Sequence, residues 1–174
     1  YIGRFIDYKN PDLLIASFKM VLKHFPNSRL IMIGADYGSL SYCKKLAASL
    51  GLADKVIFIE NGNEETKLQA LDIADVCLVP SDYESFGLVA LEAQAAGVPV
   101  ISSWVGGLKH IVIEGKTGLF LKEITVKEIA GKILFLLSSS KLRSDLGSNG
   151  QKFARNFSWE IVSDSLLDVY KEIV

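Results

Sequence analysis

The chain has 174 residues, with 19 Lys+Arg against 20 Asp+Glu, a formal net charge of −1 and 49% hydrophobic residues. A chain of this length makes one compact domain, two at most, and buries about 70% of its unfolded surface without a disulfide or metal staple. Balanced charge excludes a generic polyanion or nucleic-acid binder, which needs a basic face, and no run of roughly 18 apolar residues is present to span a membrane as a helix.

In chain order, Tyr1-Ile2 reads as a strand that opens the chain without an initiator Met. The sequence is therefore expected to be a piece of a longer protein, with no targeting segment at its start. Asn10-Pro11 fits an N-cap followed by Pro at the first helical position, and Leu14, Phe18, Val21, Leu22 and Phe25 follow at helical spacing. Leu30–Ile33 is the next strand. Cys43, Leu46, Ala47 and Leu50 then form a helical stripe closed by Gly51. Val56–Ile59 is a strand, 64–73 a helix, Val76–Val79 a strand, and 87–96 a helix. Val98–Ile101 and a weaker Gly118–Leu121 complete the strands. Thr125-Val126-Lys127-Glu128 fits a capping box, and the tail 158–174 carries Val162, Leu166, Val169, Tyr170 and Ile173 on one face.

The apolar runs are nearly continuous in Ile, Val and Leu, as in strands covered on both faces. Alternation with helices predicts right-handed βαβ crossovers: an α/β domain with a Rossmann-like, doubly wound parallel sheet of about six strands. Ligands of such sheets bind outside the carboxyl ends of the strands.

Several signatures are absent. No Gly-x-Gly-x-x-Gly follows the first strand, and Gly115-Lys116-Thr117 ends no P-loop because His110 stands where a glycine is needed. There is no Gly-x-Ser-x-Gly, His-Glu-x-x-His or Asp-x-Asp. Cys43 and Cys77 match no metal spacing and are expected as buried free thiols of a reducing compartment. His24 is expected at the surface, and Ser158 of the sequon Asn156-Phe157-Ser158 as a helix cap.

Residues 80–92 carry the chemistry: Pro80-Ser81-Asp82-Tyr83-Glu84-Ser85-Phe86-Gly87-Leu88-Val89-Ala90-Leu91-Glu92. They leave a strand and enter a helix near Gly87, whose first-turn amides make an anion site. Gly87 lets a ligand approach the backbone. Glu84 before the helix and Glu92 inside it suggest sugar hydroxyls flanking a phosphate. Ser81-x-x-Glu84 also fits a capping box, and Glu92 a solvated helix position.

This segment, followed by Ala96-Gly97-Val98-Pro99-Val100-Ile101, resembles the donor-binding half of a retaining GT-B glycosyltransferase of the family 4 type. The resemblance runs along almost the whole chain. Gly3-Arg4-Phe5 with Lys9, Ile33-Gly34, Ala74-Asp75-Val76, Gly106-Gly107 and Glu114–Leu119 follow in the family's order, and Phe157-Ser158-Trp159 opens its closing helix. It implies a nucleotide-sugar donor of the UDP or GDP type, no cofactor and no metal. Arg4 and Lys9 are implied at the diphosphate, where fixed cations stabilise charge on the leaving oxygen; each also fits a surface charge.

Carried over by position, Glu92 is implied at the ribose hydroxyls. Glu84 is implied at the donor sugar and as the catalytic carboxylate, steadying positive charge at the anomeric carbon. Backbone groups of Phe86, Gly87 and Leu88 are implied at sugar and phosphates, although Phe86 also fits a packing staple. The base is implied against the turns at Gly34 and Gly62. One departure stands out: Lys109-His110 replaces the Pro-Glu that often follows the glycine pair.

The implied whole protein adds an N-terminal acceptor-binding domain. It is expected to be cytoplasmic, with peripheral contact at the inner face of the membrane left open. Residues 1–174 are then one donor-binding domain, expected to bind nucleotide but turn over nothing alone. A GT-B nucleotide-sugar epimerase and a non-catalytic binding or scaffolding module are the alternatives.

Overall fold

The computed structural model describes residues 1–173; the Ile173 side chain of the expected tail face lies outside the described residues, as does Val174 at the end of the tail. Five strands form among the described residues: β1 (Leu30–Gly34), β2 (Val56–Glu60), β3 (Cys77–Val79), β4 (Val100–Ser103) and β5 (Gly118–Leu121). β1 pairs with β2, and β3, β4 and β5 pair in that order, all parallel. Among the described residues the sheet is therefore two ladders of two and three strands rather than one of about six.

The expected first strand is reduced to a bridge. Ile2 pairs with Ile33 on the free edge of β1, with Gly3 N donating to the Ile33 carbonyl at 2.9 Å and Phe5 N to that of Ala35 at 2.8 Å. Pairing on one edge only, the segment turns away into a 3-10 turn at Asp7–Lys9. Gly34 permits this crossing, because a Cβ there would lie 1.8 Å from the Gly3 carbonyl oxygen.

The helices are α1 (Pro11–Val21), α2 (Leu40–Ser49), α3 (Glu64–Asp72), α4 (Leu88–Ala95), α5 (Leu108–Ile111), α6 (Val126–Leu137), α7 (Ser140–Ala154) and α8 (Trp159–Ile173). The period of two in the strands divides the core. Leu78, Ile101 and Leu119 turn to one cluster with Leu14, Ile15, Phe18, Ile129 and Leu136 of α1 and α6. Cys77, Val79 and Val100 turn to the other, with Ala90 and Ala93 of α4 and Leu108 and Ile111 of α5. Helices thus cover both faces, as the continuous apolar runs require.

Four local expectations hold. Gly51 closes α2 at φ +72°; Thr125 Oγ1 accepts from Glu128 N at 3.3 Å; Ser158 Oγ accepts from Ile161 N at 3.4 Å; His24 is exposed. Cys43 and Cys77 are buried free thiols, both pushed up by burial, Cys43 to about 12.

Asn10 does not cap α1. It sits at φ 53° and its side chain accepts nothing from the helix. Two short or glycine-containing helices were not predicted, α5 and α7. In α7, Gly147 lets the helix cross the α4 terminus, where a Cβ would meet the Gly97 carbonyl oxygen at 2.0 Å. Val162, Leu166, Val169 and Tyr170 of α8 are exposed. Among the described residues no helix is long and apolar enough to cross a membrane.

Candidate functional site

Parallel strands bring their carboxyl ends to one rim. Onto it converge the turn after the Tyr1–Ile2 bridge (Arg4–Asn10), Gly34, Gly62, the β3–α4 loop 80–87 and the β4–α5 loop 104–107. All nine sequence-predicted positions, namely Arg4, Lys9, Gly34, Gly62, Glu84, Phe86, Gly87, Leu88 and Glu92, lie in these turns or in α4.

Two hydrogen bonds stitch the first turn to the β3–α4 loop. Asp82 N donates to the Tyr8 carbonyl at 2.8 Å, and Asn10 Nδ2 donates to the Pro80 carbonyl at 2.8 Å. Asn10 is therefore a long-range latch. The stitching delivers Lys9 Nζ to within 2.5 Å of Glu84 Oε2, with the side chains 13% and 17% exposed. Glu84 serves no capping box: Gly87 occupies the N-cap, and Ser81 is buried with its carbonyl accepting from Ser103 Oγ.

Tyr8 lies between the two predicted phosphate cations. Arg4 Nη2 donates to its hydroxyl at 2.6 Å, the Lys9 ammonium lies 5.7 Å from its ring centroid, and the Arg4 guanidinium also stands 5.1 Å from the Tyr37 ring. Arg4 is exposed toward solvent and forms no salt bridge among the described residues.

Gly87 starts α4 at φ +100°, and a Cβ there would meet Leu108 Cδ2 at 2.9 Å. Only glycine meets both demands. The first backbone bond of the helix runs from Leu91 N to the Gly87 carbonyl at 3.0 Å, so the amides of Leu88, Val89 and Ala90 have no acceptor within α4. The Phe86 ring packs edge-on against Phe157, with centroids 6.3 Å apart, while the Leu88 side chain is exposed. Gly106 and Gly107 lie flat on the Glu84–Phe86 backbone, and Gly107 N donates to the Glu84 carbonyl at 3.0 Å. Lys109 and His110, in α5 rather than in a loop, therefore follow directly on the segment that abuts the Glu84 turn. There Lys109 stands 4.8 Å from the exposed Trp104 ring and pairs with no carboxylate among the described residues.

Glu92 is no ordinary solvated position. Its Oε1 accepts from Lys67 Nζ at 2.8 Å, and Lys67 also meets Glu64 Oε2 at 2.9 Å. Burial alone lowers the Lys67 ammonium, but hydrogen bonds and charges from Glu92 and Glu64 outweigh it and hold the group above the usual lysine value. Sequence reasoning missed Lys67 and Tyr8. For Lys67 the visible signal was the i,i+3 spacing from Glu64 after the Asn63 cap; nothing in the sequence linked it to Glu92.

Gly62, one residue before the Asn63 cap of α3, is fixed by packing: a Cβ there would lie 2.7 Å from Ile33 Cγ2. Asn61 N donates to the Gly34 carbonyl at 3.1 Å, so the turns at Gly34 and 61–62 adjoin.

Residues 1–153 match the family Glycosyl transferases group 1. The chain is 34% identical over 178 residues to a D-inositol 3-phosphate glycosyltransferase of Rhodococcus erythropolis, covering 99% of this chain and 40% of that protein. It thus spans well under half the length of that relative. Sucrose-phosphate synthase from Thermosynechococcus elongatus superposes with a TM-score of 0.87 at 32% identity, over 98% of this chain and 44% of that one. Anabaena HepE in complex with UDP superposes with a TM-score of 0.90 at 21% identity, over 98% and 47%, a likeness of fold alone. This chain therefore belongs to the glycosyl transferases group 1, with the Rossmann-like fold of a GT-B C-terminal domain.

Proposed function

We propose that this chain is the donor-binding domain of a retaining, metal-independent glycosyltransferase of the family 4 type. It takes a UDP- or GDP-linked sugar and passes the sugar to an acceptor hydroxyl held by an N-terminal domain of the same protein. The reading rests on one observation: Glu84 and Glu92 flank the unpaired amides that open α4, each with its own lysine. Names of relatives point the same way, since both a D-inositol 3-phosphate glycosyltransferase and a sucrose-phosphate synthase match along the chain.

In this reading the diphosphate lies over the α4 amides beside Arg4 and Lys9. The Lys9 ammonium has three donors and serves Glu84 and a phosphate oxygen together. As the glycosidic C–O bond breaks, charge develops on the leaving phosphate oxygen and the two cations stabilise it, with no metal required. Glu84 accepts from hydroxyls of the donor sugar and steadies positive charge at the anomeric carbon. Glu92 accepts from the ribose hydroxyls. Backbone groups of Phe86, Gly87 and Leu88 meet sugar and phosphate, and the base lies against Gly34 and Gly62. We place the whole protein in the cytoplasm, with any membrane contact made by its other half.

Calorimetric titration with UDP, GDP and ADP tests the reading. One nucleotide is expected to bind, and Glu92→Ala and Arg4→Ala are each expected to weaken it roughly tenfold or more, the loss of a charge-assisted hydrogen bond. Absence of binding at millimolar nucleotide, or robust sugar transfer by residues 1–174 alone, would overturn it.

A further inference from the structure

The ribose end contains a lysine for which the proposed chemistry has no role. Lys67 projects from the first turn of α3, an element anchored on the rim by two separate constraints. Asn63 Oδ1 accepts from both Thr66 N at 2.8 Å and Thr66 Oγ1 at 2.7 Å, pinning the helix start. Gly62 packs against Ile33 of β1 so closely that no Cβ fits. From this fixed base the Lys67 side chain, only 17% exposed, crosses to α4 and donates to Glu92 Oε1 across 25 residues of sequence. Glu64, 72% exposed, accepts from the same ammonium on the solvent side.

Two consequences follow for Glu92. A glutamate side chain that is 35% exposed has several rotamers open to it; tying Oε1 to a rigidly based ammonium selects one and leaves Oε2 for a second donor. The ammonium also places a positive charge against the carboxylate, offsetting its repulsion of an incoming diphosphate. Lys9 does the same for Glu84, so each carboxylate of the site has a lysine from another element.

We infer that Lys67 is the positioning residue for ribose recognition: by holding Glu92 Oε1 it aims the carboxylate at the ribose hydroxyls, and it thereby sets the discrimination between ribo- and deoxyribonucleotides. The inference rests on the reading of Glu92 as the ribose-binding carboxylate. Lys67 itself touches no reacting atom.

The test is calorimetry on this chain with UDP and its 2′,3′-dideoxy analogue, and with GDP and its dideoxy analogue in parallel, so that the base does not decide the result. The unsubstituted chain is expected to prefer the ribonucleotide by roughly tenfold or more, the value of a hydrogen bond to a charged group. Lys67→Met is expected to reduce that preference to about threefold or less while leaving dideoxynucleotide affinity within about threefold, and Lys67→Arg to restore most of it. Glu64→Gln, which removes the charge of the lysine's other partner within α3, is expected to change the preference by less than about twofold.

A role confined to holding α3 in place predicts something different: Lys67→Met weakens both nucleotides by one factor, or Glu64→Gln reproduces its effect. Either result overturns the inference, as does an undiminished preference in Lys67→Met. Glu92→Gln separates the two levels. If it erases the preference and Lys67→Met does not, the role of Lys67 alone is lost. If it leaves the preference intact, or if no nucleotide binds, the ribose reading of Glu92 fails and the inference fails with it.

Discussion

The site has two ends built by different means. At one, Glu84 and Lys9 meet at 2.5 Å, Glu84 carried by a loop and Lys9 by a single 3-10 turn, and both more than four-fifths buried. Their meeting depends on the Asp82–Tyr8 and Asn10–Pro80 hydrogen bonds and on two glycines of a third loop laid across the Glu84 backbone. At the other end, Glu92 and Lys67 meet at 2.8 Å between two regular helices, with Glu92 35% exposed and Glu64 sharing the lysine. Loops can bring charges into closer and drier contact than two helix surfaces can, but only while every stitch holds. The Glu84–Lys9 end is therefore expected to be the fragile one and the Glu92–Lys67 end the robust one.

The largest expected effect breaks the loop-built end alone. In Gly107→Ala the new Cβ would lie 2.3 Å from the Phe86 carbonyl oxygen and 2.4 Å from its Cα, so the β4–α5 loop must lift off the Glu84 turn. Overpacking of this kind costs about 2–3 kcal/mol, a fall in Tm of roughly 5–10 °C for a chain of this size by calorimetry. If the proposed roles hold, nucleotide affinity should fall less than sugar-nucleotide affinity, because Glu92 and Lys67 are untouched.

The next contrast removes one lysine from each end. Lys9→Met leaves Glu84 desolvated without its countercharge and is expected to cost about 1.5–3 kcal/mol in urea unfolding. Lys67→Met frees a partly solvated carboxylate and is expected to cost less than about 1 kcal/mol. Equal costs would show that burial at the two ends is the same in solution. In Lys9→Met/Glu84→Gln the loss should be smaller than the sum of the single losses, since neither charge is then stranded.

The two ends also differ in how far they could be read from sequence. Residues 80–92 lie contiguously on a strand-to-helix turn, so their place on the rim was legible from order and residue type, while the roles proposed for them came from the family resemblance. The partners were not legible, because each arrives through tertiary structure. Asn10-Pro11 carries the local grammar of a helix cap, yet Asn10 takes a left-handed conformation and spends its side-chain amide on Pro80, 70 positions away. Lys67 looks like half of an i,i+3 pair with Glu64. Tyr1-Ile2 has strand composition, but composition does not reveal that only one edge finds a partner. The continuous Ile and Val runs predicted two-sided burial, which β3 and β4 show; β2 departs from it, with Ile57 exposed, because composition does not reveal which strand is left uncovered.

The Asn10 latch gives a finer cut at the loop-built end. Asn10→Gly removes the bond to Pro80 while keeping a residue at ease at φ 53°, and is expected to cost about 1 kcal/mol. Asn10→Ala adds the penalty of a Cβ in a left-handed conformation and is expected to cost about 2 kcal/mol. The difference between the two variants in urea unfolding isolates backbone from latch. Identical costs would mean that the side-chain bond carries the whole effect.

The smallest expected effects lie in pH dependence, and they divide the two ends by sign. Beside Tyr37 at the loop-built end, Asp36 accepts from Leu40 N and Gly38 N, bonds that hold its carboxyl below the ordinary value. A depressed folded pKa contributes stability that is present above the unfolded value of about 3.9 and lost as pH falls through the folded one. Asp36→Asn should therefore flatten the acid limb of the stability curve and leave the alkaline limb unchanged. Lys67 is held above its ordinary value, so its contribution is complete below about pH 10.4 and is lost as pH rises through the folded value. The alkaline limb also contains the buried thiols Cys43 and Cys77, whose raised values make them lose stability from about pH 8.5 upward. Their share is common to the parent chain and to Lys67→Met. The stability difference between those two should consequently stay flat through the thiol range and shrink only above about pH 10.4; a difference that already shrinks near pH 8.5 would mean that Lys67 also acts on the Cys77 thiol, whose value the Glu92 charge helps to raise.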